Sequence, residues 1–289
     1  MDTASSQATA PSLPLPPAIS AAVLAARLGH GGQPLLLDVR KAPAFDASPH
    51  LIAGALRVAP EALAAALPKL PQHSEIVAYC VHGHQVSQGA ARELIAAGFN
   101  AMFLEGGIEH WRDDGLPLMG KNADLQLPAM PAKPSRWITR ERPKIDRIAC
   151  PWLIRRFIDP LAQFLYVPAD QVTAAAQREQ AIPYDVPNAR ISHRGAEGEL
   201  CSFDALIADC GLTDPCLHEL ARIVRGADTG NPELTPQSAG LLAISLGLSV
   251  NYPDDHAMLE HGMVVYDALY AWVKSARAEV HNANLFKKA

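Results

Sequence analysis

The sequence predicts an α/β domain, built on a parallel sheet with helices on both faces, followed by a mainly helical α+β domain. Three observations lead to this prediction. Short apolar runs alternate with helical segments through the first 118 residues, a pattern typical of parallel sheets. The stretch 119–134 contains three prolines and little periodicity, which is typical of a linker. In the region 135–289 the predicted strands come first and the helices follow.

Composition limits the class of protein. A chain of 289 residues can bury two cores, and 49% apolar with 19% charged residues is typical of a globular protein. The net charge of −5 argues against general nucleic-acid binding. Five cysteines without metal-type spacing predict reduced thiols in the cytoplasm, and no apolar run is long enough for a membrane span. Residues 1–17, rich in Ala, Ser and Pro, are predicted to be a flexible leader.

The first domain is predicted to span residues 18–118. Ser20 is predicted to open a helix that ends near Leu28. A short helical turn is expected near Ala44, and an Ala/Leu-rich helix over 60–67 that prolines stop. The predicted strands are Leu35–Val39, Ile76–Tyr79 and Ala101–Leu104, and a last short helix covers Gly107–Arg112.

The stretch 75–98 carries the strongest chemical signal. Cys80 follows a buried strand, at the edge of the sheet where parallel sheets bind ligands. Ser87 is predicted to cap the next helix and Gly98 to end it, and that helix's predicted inner face is Ala90, Ala91, Leu94 and Ile95. Unpaired N–H groups and about half a positive charge meet at the start of a helix. Cys80 is therefore the predicted nucleophile, inside an anion-binding loop of Val81, His82, Gly83, His84, Gln85 and Val86.

This region resembles the rhodanese-like sulfurtransferase domain over about residues 18–118. The shared motifs are Asp38-Val39-Arg40, the segment 50–55, the loop Cys80-Val81-His82-Gly83 and the segment 104–111. The resemblance implies a cysteine persulfide on Cys80, formed from a small sulfur donor and passed to a thiol acceptor, with Asp38 and Arg40 supporting the loop. The loop is one residue longer than in common single-domain members and lacks a basic residue. Thiosulfate, another sulfane donor, and a tetrahedral oxyanion therefore all stay open as substrates.

The second domain, 135–289, is predicted to begin with strands Trp137–Thr139 and Phe164–Val167. Pro151 is predicted to be the first residue of a helix that ends at Ile158, with Cys150 near its cap. Cys150 is interpreted as a buried packing cysteine rather than a second redox thiol. Further helices are predicted over 170–180, 203–210, 215–225, 235–246 and 254–275.

Several ordered segments of this half, including 136–160, 192–195, 203–207 and 226–229, resemble the carboxyl-terminal domain of ChrB-type chromate-resistance proteins. The resemblance covers about residues 135–277. It implies a role in bacterial chromate resistance, either as an accessory detoxifying protein or as a chromate-responsive regulator. Two hypotheses follow: the chain is a sulfurtransferase, or it is a regulator and oxyanion or metal sensor in which the rhodanese-like module serves docking or redox functions.

Charged residues of the second half supply two further candidate sites. Arg142, Lys144 and Arg147 are candidates for binding an oxyanion, because guanidinium groups match oxyanions with paired hydrogen bonds. DNA contact is the less favoured alternative for these residues, since neither a recognition helix nor interleaved aromatic residues are evident. His193 and Asp228 lie in predicted loops, where binding residues are common, and together with Asp146 they are predicted to converge on a polar or divalent-metal site. No other cofactor is predicted, and the sequence leaves the oligomeric state open.

Overall fold

The computed structural model describes residues 14–121, 125 and 134–279. Most of the predicted leader, 1–17, and most of the predicted linker, 119–134, lie outside the described residues. Among the described helices, none combines the length and the apolar surface that crossing a membrane requires.

The first domain is organised around one parallel sheet. Its five strands run in the order β1-β6-β5-β2-β4, and a separate antiparallel pair joins β3 to β7. The strands are β1 Ala18–Ile19, β2 Leu35–Asp38, β3 His50–Ile52, β4 Ala55–Arg57, β5 Glu75–Tyr79, β6 Asn100–Leu104 and β7 Leu118–Gly120. The helices are α1 Ala21–Ala26, α2 Ala42–Ala47, α3 Leu63–Ala66, α4 Gln85–Ala96 and α5 Gly107–Asp113.

Both faces of this sheet are covered, as the apolar runs predicted. Successive side chains of a strand point to opposite faces, and here both sets are buried. Leu37 and Ile76 belong to a core with α3 and α4, while Leu36 and Val77 belong to a second core with α1 and α5. The structure thus confirms a parallel α/β sheet with helices on both faces. Cys80 follows β5, the central strand, between β2 and β6.

Three details of the first domain differ from the prediction. The short strands β1, β3, β4 and β7 were not predicted, because two or three residues give too little alternation to recognise. The strand Leu118–Gly120 pairs with His50–Ile52, so its last two residues belong to the first domain's structure rather than to the predicted linker. Ile95 was assigned to the inner face of α4 but is 42% exposed.

The second domain begins with a three-stranded parallel sheet in the order β10-β8-β9 and then becomes helical. Its first part alternates strands and helices, so the early strands form βαβ units rather than the hairpins of a typical α+β sheet. The strands are β8 Arg136–Arg140, β9 Gln163–Val167 and β10 Ile182–Pro183. The helices are α6 Asp146–Phe157, α7 Val172–Glu179, α8 Ser202–Asp209, α9 Pro215–Asp228, α10 Ser238–Asn251 and α11 Asp255–Ala271, the last continuing as a π-helix to Ala276.

Helix α6 corrects the prediction for Pro151. The helix begins at Asp146, so Pro151 lies in its interior and Cys150 is not near a cap. Proline has no N–H, and the carbonyl of Arg147 one turn earlier loses its usual donor. The Tyr184 hydroxyl donates to that carbonyl at 3.4 Å. A tertiary contact therefore compensates for the proline, and sequence pattern alone could not reveal it.

The two domains are in direct contact. The Gly54 N–H donates to the Phe157 carbonyl at 2.7 Å, and the Gly120 N–H donates to the Cys210 carbonyl at 2.9 Å. Gly54 has φ +78°, and a β-carbon there would lie 2.8 Å from the Arg156 carbonyl oxygen. Glycine is required at this position for both reasons. The β3–β7 pair thus packs against the helical core of the second domain.

Candidate functional site

The first candidate site surrounds Cys80. The side chain is 6% exposed, and its Sγ lies 3.2 Å from the Ser87 hydroxyl oxygen. It borders an open cavity of about 570 Å³. The cavity is lined by Arg40, Lys41, Ala44, Cys80, Val81, His82, His84, Gln85, Val86 and Gln88. The sulfur therefore lies beneath the surface of a cavity whose lining carries basic, imidazole and amide groups.

The loop after Cys80 is held by its carbonyl groups. The Cys80 carbonyl accepts from the Ile108 N–H at 3.0 Å, and the Val81 carbonyl accepts from the Glu109 N–H at 3.1 Å. Gly107, with φ +59°, makes this approach possible, because a β-carbon would overlap both carbonyl oxygens. In the described part of the chain, the backbone N–H groups of residues 81–84 have no acceptor. These N–H groups can therefore bind an anion.

Helix α4 begins earlier than predicted. Its first residue is Gln85, and His84 is the N-cap. Gln85 and Val86, predicted loop residues, are thus the first two helical residues. Ser87 is not the cap but lies in the first turn, where its hydroxyl donates to the His84 carbonyl at 3.3 Å and contacts Cys80 Sγ. Gly98, at φ +92°, follows the C-cap of the helix in the left-handed conformation that was predicted.

Two polar side chains brace the loop from outside. His82 Nδ1 lies 3.0 Å from a carboxylate oxygen of Glu109, and both side chains are largely exposed. Gln88 Nε2 donates to the Gly83 carbonyl at 3.1 Å. These contacts join the loop to α5 and to α4, so the N–H groups are presented by a fixed backbone rather than by a free loop.

Asp38 and Arg40 form a buried ion pair next to the cavity. Arg40 Nη2 lies 2.6 Å from Asp38 Oδ2, and both side chains have almost no exposure. The same nitrogen donates to the His50 carbonyl at 2.9 Å. The pair thus connects the end of β2 to the start of β3, and its predicted support of the Cys80 loop stays a prediction.

The second candidate site is a group of four side chains in the second domain, here called the polar cluster: Asp146, Asp185, His193 and Asp228. His193 Nε2 lies 3.0 Å from Asp228 Oδ2, 3.5 Å from Asp185 Oδ1 and 3.9 Å from Asp146 Oδ2. The structure therefore brings together Asp146, His193 and Asp228, which the sequence analysis grouped, and adds Asp185. Asp146, Asp185 and His193 have ligand atoms close enough together to hold a metal ion.

Each member comes from a different element. Asp146 is the first residue of α6, Asp185 follows β10, and His193 lies in the loop before α8. Asp228 was expected in a loop but is the last residue of α9. The start of α8 holds Asp146 in place, because this carboxylate accepts from the Ser202 N–H at 2.5 Å and the Phe203 N–H at 3.2 Å. Those N–H groups begin α8, and a carboxylate is favourable there.

Burial and mutual repulsion shape the charges of the polar cluster. Burial, together with the carboxylates of Asp228 and Asp185, raises the pKa of Asp146 well above its usual value. Burial and Asp185 likewise raise the pKa of Asp228. Hydrogen bonding to Asp185, together with the charge of Asp146 and Asp228, raises the pKa of His193 to about 9. The cluster thus favours a positive charge at the His193 ring.

This charge predicts a pH dependence of stability in chelator-treated protein. The pKa of His193 rises from 6.5 to about 9 on folding, so its protonation stabilises the native state fully below pH 6.5. That stabilisation is lost as the pH rises through about 9. We expect the stability difference between wild type and His193→Gln to shrink over this interval, as measured by urea unfolding at several pH values. A difference that is constant across the interval would contradict the prediction.

The two arginines of the predicted oxyanion site make hydrogen bonds and ion contacts within the protein. The Arg142 guanidinium donates to the carbonyls of Ser249 at 2.6 Å and Pro253 at 3.0 Å, at the end of α10. Arg147 donates to the Glu141 carbonyl at 2.9 Å and lies 3.4 Å from Asp185. Lys144 is half-buried. The oxyanion site stays a prediction, and the two arginines have structural contacts that are sufficient to explain them.

Two residues in and beside the polar cluster were not predicted from the sequence. Asp185 and Ser202, whose hydroxyl donates to Asp185 at 2.9 Å, were not among the predicted site residues. No local spacing connects positions 146, 185 and 228, so only the fold brings them together.

Cys150 is fully buried, and burial raises the pKa of its thiol. It therefore packs in the core, as interpreted.

The comparisons with known proteins identify two regions. Residues 20–114 match the model of the rhodanese-like domain, and residues 137–273 match the model named "ChrB, C-terminal domain". Protein ChrB from Cupriavidus metallidurans is 34% identical over 143 residues, which are 49% of this chain and 42% of that protein. The chain thus spans less than half the length of this curated relative.

Solved structures align with the first region. A rhodanese-related protein from Thermoplasma volcanium is 27% identical, with a TM-score of 0.31, and the match covers 35% of this chain and 96% of that one. A thiosulfate sulfurtransferase from Pseudomonas aeruginosa is 28% identical, with a TM-score of 0.33, over 39% of this chain and 21% of that one. The family models and the curated relative together establish that this chain joins a rhodanese-like domain to a ChrB-type C-terminal domain.

Proposed function

We propose that this chain is a chromate-resistance-associated protein whose rhodanese-like domain transfers sulfane sulfur through Cys80. The observation that carries the sulfur-transfer part is the position of Cys80 at a cavity, directly before a loop whose backbone N–H groups at residues 81–84 have no acceptor among the described residues. The association with chromate resistance is supported by the match of residues 137–273 to the ChrB domain.

The proposed reaction has two displacement steps. The Cys80 thiolate attacks the sulfane sulfur of a donor such as thiosulfate, and the donor's S–S bond breaks, so that sulfite leaves with the electron pair. Cys80 then carries a persulfide. An acceptor thiolate attacks the outer sulfur, the bond to Cys80 Sγ breaks, and the Cys80 thiolate returns. Splitting the transfer through a covalent intermediate is the general strategy of nucleophilic catalysis.

The loop stabilises negative charge in both steps. The donor, the persulfide and the leaving sulfite are all anions, and the N–H groups of residues 81–84 are held in place before the substrate arrives. Such fixed donors stabilise charge without rearranging during the reaction. Ser87 contributes locally, because its hydroxyl can turn from the His84 carbonyl to donate to the ionised Cys80 sulfur. Lys41 adds positive charge to the cavity wall, whereas the charge of Arg40 is balanced by Asp38.

Mass spectrometry of the full chain tests this proposal. After incubation with excess thiosulfate and removal of small molecules, we expect a mass increase of one sulfur atom. Proteolysis should place the extra sulfur on the peptide containing Cys80, and a small thiol should remove it. Sulfur on another cysteine, or none after incubation with thiosulfate and with a small-molecule persulfide donor, would contradict the proposal. Cys216 is the internal comparison, because it is more exposed than Cys80 and lies in the second domain.

A further inference from the structure

The polar cluster has the spacing of a set of metal ligands. His193 Nε2 lies 3.0 to 3.9 Å from an oxygen of each of the three carboxylates. Ligand atoms of Asp146, Asp185 and His193 all lie within 4.8 Å of one another. Atoms that surround a tetrahedral ion at about 2.1 Å lie about 3.4 Å apart. Asp146, Asp185 and His193 could therefore contact one ion with small movements, and Asp228, 3.0 Å from His193 Nε2, lies close enough to join them.

The other nitrogen of His193 fixes the direction of the ring. Nδ1 lies 3.2 Å from the Gly198 carbonyl oxygen. A carbonyl oxygen only accepts, so Nδ1 is the donor in this hydrogen bond. In the neutral ring, Nε2 then presents a lone pair toward the three carboxylates, which is the side of the ring where a metal ion would bind. A histidine that donates its second N–H to a backbone carbonyl is the usual arrangement of metal-binding histidines.

Groups outside the polar cluster also orient two of its carboxylates. Asp146 accepts from the N–H groups of Ser202 and Phe203, and Asp185 accepts from the Ser202 hydroxyl and faces Arg147 Nε. These outer partners hold the carboxylates toward His193. When ionised and beside a neutral His193, the three carboxylates carry one more negative charge than is supplied by Arg147 and by Arg140, which lies 3.9 Å from Asp185, so the cluster can accommodate a cation.

We propose that Asp146, Asp185, His193 and Asp228 bind one divalent transition-metal ion in the second domain. One imidazole with several carboxylates suits Mn²⁺, Fe²⁺ or Zn²⁺ better than Ca²⁺, which prefers oxygen ligands alone, or Cu⁺, which prefers sulfur. The proposal is independent of sulfur transfer at Cys80, because no residue is shared between the two sites.

Metal titration of the full chain tests the proposal. After treatment with a chelator, the protein is titrated with Mn²⁺ and with Zn²⁺ in a calorimeter, and its thermal unfolding is followed with and without each metal. We expect one saturable site per chain, together with a rise in the unfolding temperature as the ion binds the native state. His193→Ala and Asp228→Asn should each weaken binding by about 100-fold or more and remove most of the thermal shift.

Matched variants keep the result interpretable. His218→Ala removes an exposed histidine from α9, the same helix that carries Asp228, and should bind as wild type does. Asp228→Asn preserves the side-chain shape, so it tests the site even if His193→Ala unfolds. The absence of saturable binding in wild type would overturn the proposal and leave a protonated His193 as the balancing charge. Binding that survives both substitutions would overturn it as well.

Discussion

Replacing Cys80 by serine is expected to lower the rate of sulfur transfer from thiosulfate to cyanide by at least about 10³-fold, to the background rate. A serine hydroxyl is not ionised near neutral pH and cannot form the disulfide-type bond that stores the sulfur. The oxygen would occupy almost the same place beside Ser87, so the loop should keep its conformation. Thiocyanate formation measures the rate, and circular dichroism checks that the variant is folded.

Two controls separate this chemistry from other roles. Cys216→Ser removes the more exposed thiol of the second domain and should transfer sulfur at the wild-type rate. In a strain that lacks this chain, the Cys80→Ser gene should fail to restore growth in chromate, whereas the Cys216→Ser gene should restore it. Equal transfer rates for wild type and Cys80→Ser would remove the sulfurtransferase hypothesis. Full growth with inactive Cys80→Ser would instead favour a regulatory role of the second domain.

The Cys80 region could be predicted because its information is local. A β-branched strand, a cysteine, a glycine-containing loop and a helix follow one another within about twenty-five residues of sequence. Each step has its own propensity signal, and the structure has the strand, the loop and the helix in that order. The start of the helix was misplaced by a few residues, because Ser87 is a good capping residue by type. Its hydroxyl instead contacts Cys80 Sγ.

The second domain was harder to predict because its key contacts are distant in sequence. Pro151 is a typical first helical residue, and nothing near it indicates that the Tyr184 hydroxyl bonds the carbonyl left without a donor. Asp185 likewise has no neighbour in sequence that marks it. His193, in contrast, was identified from its place in a polar loop. Loop position is a local property, whereas the meeting of α6, β10 and α9 is a property of the fold.

The two candidate sites follow one physical pattern. In each, the backbone N–H groups near the start of a helix lie next to an acidic side chain: α4 follows the Cys80 loop, and α8 lies beside Asp146. At α8 the protein's own carboxylate already occupies the N–H groups. At the Cys80 loop, the N–H groups of residues 81–84 have no acceptor among the described residues. This difference supports the two proposals, an anionic substrate at the first site and a cation at the second.

Arg40→Met is expected to destabilise the first domain by about 3–5 kcal/mol. The substitution keeps much of the side-chain volume but leaves the Asp38 carboxylate without its partner at a fully buried position. It also removes the donor to the His50 carbonyl, so the start of β3 loses an attachment. The midpoint and slope of urea unfolding, followed by circular dichroism, measure the change in the free energy of unfolding.

Two further variants show whether the unpaired charge is the cause. The double variant Asp38→Asn with Arg40→Met removes the charge while an amide oxygen can still accept from the backbone N–H at position 40, which bonds Asp38 Oδ1 at 3.0 Å. It should therefore be more stable than Arg40→Met alone, by about 1 kcal/mol or more, because a buried unpaired charge costs more than a buried amide. Arg57→Met is the matched control. Its half-buried guanidinium donates to the Asp38 carbonyl at 2.9 Å and lies 4.4 Å from the centre of the Phe45 ring, and its loss should cost about 1 kcal/mol. If all three variants lose equal stability, the buried ion pair is not what holds the end of β2 beside the Cys80 loop.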